Sequence, residues 1–216
     1  MHVTHLGHSC LLVEIADRRI LIDPGAFSSQ WHGQRDLDMI VITHQHPDHV
    51  DPDRIVDLAR ANPRAEVRAE GGAAGLVRDL GAEAGEFDGE VRLGDVTVTA
   101  VGDQHALIHE DIPRIGNRGV RLSADGEPVL FHPGDALDAE PGEVDVLAVP
   151  LNAPWQRSRE MTAFLRRLAA PVAIPIHDAL LSATGRGLYL KQARDLGCAD
   201  TDLRDLADAG ATPFTL

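Results

Sequence analysis

The chain reads as an α/β protein with two β-rich halves covered by helices on their outer sides. Three observations predict this class. Short apolar or alternating runs recur from the first residues onward, and segments with a helical apolar stripe interrupt them. That strand-and-helix progression then occurs a second time, with no linker, repeat array or low-complexity stretch in between. The 216 residues suit one domain spanning 1–216. A chain near this size hides about 70% of its unfolded surface, enough for a substantial core.

Taken in order, "HVTHLG", "CLLVEIA" and "RRILID" open the chain as three strands separated by short polar breaks. "DMIVIT" is a compact β-rich run ending at Thr43. A helix is predicted next, with Asp51 as N-cap, Pro52 at the first helical position, and Ile55, Leu58 and Ala59 on one face. Asn62-Pro63 stops it. "AEVRAE" reads as a strand and "GAAGLVRDLG" as a short helix closed by Gly81. "DVTVTAVGD" (95–103) alternates cleanly and is the clearest strand of the chain. "QHALIHEDIPRIGNRG" follows neither period, and connections of that length often line a site. "RGVRLS", "PVLFH" and "VDVLAVP" are three further strands. "SREMTAFLRRLA" is an amphipathic helix with Met161, Phe164, Leu165 and Leu168 on one stripe. "PVAIPIH" is a buried strand ending at His177, and "GLYLKQARDLG" is the last helix.

Composition narrows the function. The formal charge of −14, spread along the chain, repels phosphate backbones and anionic membrane surfaces, so neither nucleic acid nor membrane is expected as a partner. The N-terminus lacks a basic stretch leading into an unbroken apolar run, and nothing approaches the length of a membrane span, so a cytoplasmic protein is expected. Cys10 and Cys198 fall outside any CxxC pair and read as inert thiols.

Residues 41–52, "VITHQHPDHVDP", carry the chemistry. Pro47 pushes His46 into an extended conformation, so His44 and His46 point the same way and can grip one ion. Past the proline the chain turns, and Asp48 and His49 can address a second ion. Zinc accepts imidazole nitrogen at about 2.0–2.1 Å and carboxylate oxygen at about 2.0–2.2 Å, usually with four ligands. One turn therefore offers half of two sites. Candidates for the rest stand at strand ends: His105, Asp135 and His177. Each alone would read as an ordinary hydrogen-bonded residue. The compact H-x-H-x-D-H arrangement is far more specific.

"THQHPDH" resembles the metal-binding motif of the metallo-β-lactamase superfamily. The later order, a distal His, a Gly-Asp after a strand and a final His after another, is similar too. "HLGHSCLLVE" and "ILIDPG" resemble the opening strands of its small metal-dependent hydrolase branch, which includes sugar-phosphate lactonase-like proteins. The resemblance runs from about residue 2 to residue 180. It implies a four-layer αβ/βα sandwich and two divalent metal ions, zinc first, with manganese or iron as alternatives. His44, His46 and His105 would hold one ion and Asp48, His49 and His177 the other, with Asp135 bridging. Such ions lower the pKa of bound water to about 7, supplying hydroxide for attack on a small ester, lactone or phosphoester. Asp48 is the candidate catalytic residue, orienting that hydroxide or carrying its proton. The expected partner is a small-molecule substrate, and a homo-oligomer is left open.

His8, Asp23, His109 and His132 are candidates for supporting the ligands or facing substrate. Trp31 and Trp155 lie in loops and read as packing residues, with pocket walls as the other use. Arg114, Arg118, Arg157 and Arg159 are candidate anion contacts set against solvated surface. Two other functions stay in view. A metal-binding protein of the same fold without turnover shares every ligand. A diiron redox protein is disfavoured because such relatives carry glutamate in place of His46 and pair with a flavin domain.

Overall fold

The computed structural model describes all 216 residues. The first sheet is built from β1 (His2–His5), β2 (Leu11–Ile15), β3 (Arg18–Ile22), β4 (Met39–Ile42), β5 (Glu66–Ala69) and β6 (Gly85–Glu86), with β14 (Thr212–Pro213) on its outer edge. Its spatial order is β14-β1-β2-β3-β4-β5-β6. The second sheet holds β7 (Glu90–Leu93), β8 (Val96–Val101), β9 (Gly119–Ser123), β10 (Leu130–His132), β11 (Val146–Pro150), β12 (Val172–Ile176) and β13 (Asp202–Leu203). They run in the order β13-β12-β11-β10-β9-β8-β7. Both sheets change from antiparallel to parallel pairing partway across, at β3–β4 and at β10–β11.

Alternation along the strands divides the core into three. Val3, Leu11, Val13, Ile20, Ile22 and Val41 face the second sheet and meet Val96, Val98, Val120, Leu130, Val146 and Ile174. On the far side of the first sheet, Leu12, Leu21, Ile40 and Ile42 pack under α1 (Ile55–Ala61) and α2 (Gly71–Asp79) through Ile55, Leu58, Ala73 and Val77. On the far side of the second, Leu147, Val149 and Ala173 meet Met161, Phe164 and Leu165 of α3 (Ser158–Leu168) and Ala193 of α4 (Ala183–Leu196). The layers run helix, sheet, sheet, helix. No helix is long and apolar enough to cross a membrane.

Two helices begin elsewhere than the sequence suggests. Asp51 is tied down before the helix: its N–H donates to Pro24 O and its Oδ1 accepts from Asp53 N, so residues 52–54 form a turn. Ordered α-helix starts only at Ile55. At the other end, α4 starts four residues before Gly187, because Ser182 Oγ accepts from Gly185 N and caps it. The edge strands β6, β13 and β14, two residues each, are too short to show a period, and β7 is half charged; all four went unforeseen.

Candidate metal centre

The residues after β3, β4, β8, β10 and β12 meet at one rim of the sandwich, beyond the carboxyl ends of the parallel strands. After β4 the chain runs through His44 and His46, then turns past Pro47, where His49 N and Val50 N both donate to His46 O. That turn rests on the backbone after β3: Ala26 N donates to Pro47 O at 2.7 Å. A Cβ on Gly25 would lie 1.8 Å from Asp48 O, so only glycine admits this approach.

The four buried imidazoles of the proposed ligand set, His44, His49, His105 and His177, are each held by Nδ1, which leaves Nε2 facing the common space. His49 Nδ1 donates to Asp23 Oδ2 at 2.6 Å. His105 Nδ1 donates to Ala106 O at 2.6 Å, and His177 Nδ1 to Asn152 O at 2.7 Å. His44 Nδ1 lies 3.0 Å from Thr43 Oγ1, which in turn donates to Asp23 Oδ2. This is how metal-binding imidazoles are oriented, with the second nitrogen fixing tautomer and ring plane.

Nε2 of His44, His49, His105 and His177, together with Asp135 Oδ1, are buried without a hydrogen-bond partner. Five such orphans within one cluster would each cost about 1–3 kcal/mol if nothing met them. Ligand atoms of His44, His46 and His105 lie within 4.8 Å of one another, as do those of His8, Asp48, His49 and His177. Asp135 stands between the groups. Its Oδ2 lies 3.4 Å from His105 Nε2, while Oδ1 lies 3.1 Å from His49 Nε2 and 3.3 Å from His177 Nε2. Imidazole nitrogen and carboxylate oxygen in this arrangement fit divalent cations.

In the metal-free protein the same crowding polarises the groups. Burial works to raise the Asp135 carboxyl, but the imidazoles of His177 and His49 overcome it and hold the acid well below its usual range. Burial likewise disfavours a charged His177, yet the Asp135 carboxylate lifts it to about 9. His49 is lifted too, by Asp135 and Asp23 against its burial. His44, buried among other imidazoles, is lowered.

The supporting candidates separate. His8 Nε2 donates to Asp48 Oδ2 at 3.1 Å, and its ring centroid lies 4.1 Å from that of His177. Asp23 accepts from Thr43 N, Thr43 Oγ1 and His49 Nδ1. His132 sits one layer further back, donating to Ser9 O and accepting from Gly134 N, with Asp23 Oδ2 4.0 Å away. His109 is not beside the ligands: it is exposed, and its Nδ1 accepts from Asp111 N within its own loop. The irregular connection between β8 and β9, residues 102–118, carried it outward, leaving it on the wall of a neighbouring cleft.

That cleft, about 700 Å³, lies between the loop after β8 and α3. Leu107, Ile108, Leu137, Trp155 and Phe164 line it, with Arg114 and Arg157 among its polar groups. Trp31 is a core residue, its Nε1 donating to Gly25 O. Trp155 does more than pack, because its Nε1 donates to Asp135 Oδ2 at 2.9 Å. Arg118 pairs with Asp103 and Asp88, and Arg159 is exposed outside the cleft lining. Sequence reasoning missed Asn117, fully buried, whose Oδ1 accepts from Asp135 N while Nδ2 donates to Pro133 O. Nothing in "IGNRG" signals that role. Thr43 was visible only as the neighbour of the motif.

A family model described as a beta-lactamase superfamily domain matches residues 2–177. Protein Rv0786c of Mycobacterium tuberculosis is 40% identical over 215 residues, covering 99% of this chain and all of that one. A UPF0173 metal-dependent hydrolase of Sinorhizobium medicae is 33% identical over 204 residues, covering 82% of this chain and 85% of its own. The crystal structure of an isothiocyanate hydrolase from Delia radicum gut bacteria superposes over the full length of both chains, with a TM-score of 0.76 at 17% identity. The chain therefore belongs to the metallo-β-lactamase superfamily, among its metal-dependent hydrolases.

Proposed function

We propose that this hydrolase works with two divalent ions, zinc first, and cleaves a small ester or lactone, with phosphoesters the less favoured class. His44, His46 and His105 would hold one ion and Asp48, His49 and His177 the other, with Asp135 between them. The observation that carries this reading is the set of orphaned Nε2 atoms around Asp135, whose two oxygens face different histidine groups. When bound, the ions lower the pKa of water to about 7 and polarise the oxygen under attack. Asp48 stands at the open side of the cluster, its side chain 17% exposed and steadied by His8, where it can orient the attacking water and receive its proton.

The arm of the substrate is assigned to the adjoining cleft, whose size and mixed apolar and polar wall suit a small organic group. Its arginines do not form an open anion cradle. Arg114 lies 3.8 Å from Asp138 and Arg167 2.6 Å from Glu140, leaving Arg157 as the one arginine of the lining without a carboxylate partner, which favours an uncharged acyl group over a phosphate. The test is a panel of esters, lactones and phosphoesters with and without chelator. We expect ester or lactone turnover that chelator abolishes, and His46→Ala to lose both metal and activity. Full metal stoichiometry in His46→Ala would overturn the ligand assignment.

A further inference from the structure

Between β11 and α3 the chain makes a short loop, residues 151–157, that touches both sides of the centre. Asn152 O receives the His177 Nδ1 proton at 2.7 Å. Three residues on, Trp155 donates from Nε1 to Asp135 Oδ2 at 2.9 Å, and its ring lies edge-on to His105 at 5.9 Å between centroids. The loop is anchored independently of the cluster, through Gln156 Nε2 to Pro150 O and Leu151 N to Ile176 O. A purely apolar residue would serve as a cleft wall, but an indole offers a broad apolar wall and an N–H together. The acceptor is a buried carboxylate, which makes this the stronger, charge-assisted kind of hydrogen bond. It also breaks the symmetry of Asp135: Oδ2 has a donor and Oδ1 has none.

We propose that Trp155 is a positioning residue of the metal centre, fixing Asp135 Oδ2 toward the His44, His46 and His105 side while its ring closes the cleft against that carboxylate. The inference rests on the reading of Asp135 as the ligand shared by two ions. It places a determinant of metal affinity in the cleft wall, where an incoming substrate arm touches it.

The experiment is competition of metal-free protein against a chromophoric chelator for Zn2+. Wild type is expected to take up two ions. In Trp155→Phe, one of the two should bind about tenfold or more weakly, the usual cost of losing a partner that orients a ligand, with the other within twofold. A benzothienyl-alanine at position 155 keeps the shape and loses only the N–H, and should give the same split, which separates the hydrogen bond from packing. Zn2+ should also change the tryptophan emission of wild type and leave that of Trp155→Phe unchanged, because the remaining Trp31 is sealed in the core. Two wild-type affinities in both variants would overturn the assignment. If wild type takes up a single ion, the two-ion reading falls, and Trp155 is then judged by whether that one ion weakens in the variants. A wild type that binds no Zn2+ overturns both.

Discussion

Asp23, His8 and His177 all hold left-handed backbone, with φ of 50°, 51° and 58°, conformations that ordinary residues rarely adopt. Neighbours enforce each one. His177 N donates to His8 O, and His5 Nε2 donates to the same oxygen, so the two loops lock each other. Asp23 is locked by the three bonds it accepts. Asp23→Ala should therefore do two things. Stability should fall by about 2 kcal/mol, since Thr43 N and His49 Nδ1 lose their buried acceptor, and Zn2+ affinity should fall about 10- to 100-fold as the His49 ring comes loose. Denaturant unfolding and chelator competition measure the two separately, and an unchanged affinity would show that the His49 ring is held by other means. At this scale the sequence exposed what is local. The imidazoles at 44, 46 and 49 crowd into one turn, and Pro47 dictates how that turn runs. Asn117, Thr43 and Trp155 stayed hidden because their contacts cross from one strand end to another, and no spacing along the chain encodes them.

The elements carry a second set of consequences. α4 is fastened by Arg186, which reaches Asp178 Oδ2 at 2.6 Å and both carboxylate oxygens of Asp205 at 2.7 Å. The clasp ties the residue after His177 to the chain beyond β13. Hydrogen bonds from Arg186 hold the Asp205 carboxyl below its ordinary value of 3.8, against partial burial. The folded protein then gives up that proton more readily than the unfolded chain. The resulting stability is complete above the ordinary carboxylate pKa and disappears as pH falls through the lower folded value. Asp205→Asn should lower stability by under about 1 kcal/mol at pH 7, since the pair is partly solvated. The gap in melting temperature between wild type and variant should be constant well above pH 3.8 and narrow steadily as pH falls below it, and a gap that does not narrow with falling pH would refute the linkage. Strands of four residues or more were legible from alternation or apolar runs, save β7, whose "EVRL" is half charged and only partly buried. The helix starts were not, because Asp51 looks like a cap yet spends its side chain on a turn, and the two glycines in "ATGRG" disguise the first turn of α4.

Across the whole molecule, the two sheets are joined by their shared apolar core and by the rim where the centre forms. Four of the seven proposed ligands follow a strand of the first sheet and three follow strands of the second. Ions held there would bind the folded form alone and lock one half onto the other. Loading the centre at about 100-fold over its Kd adds about 2.7 kcal/mol per ion. For a chain of this length, chelation should lower the melting temperature by about 5–10 °C per ion removed. A melting temperature indifferent to chelator would mean the cluster does not hold metal in the folded state. The far edge of the first sheet has a different history. β1 pairs on its outer side with β14, and the backbones of Met1 and Phe214 exchange hydrogen bonds. During translation the earliest strand therefore emerges with its partner still some two hundred codons away. Until the ribosome delivers that segment, the nascent chain carries a bare β-edge open to pairing with a neighbour on the same messenger.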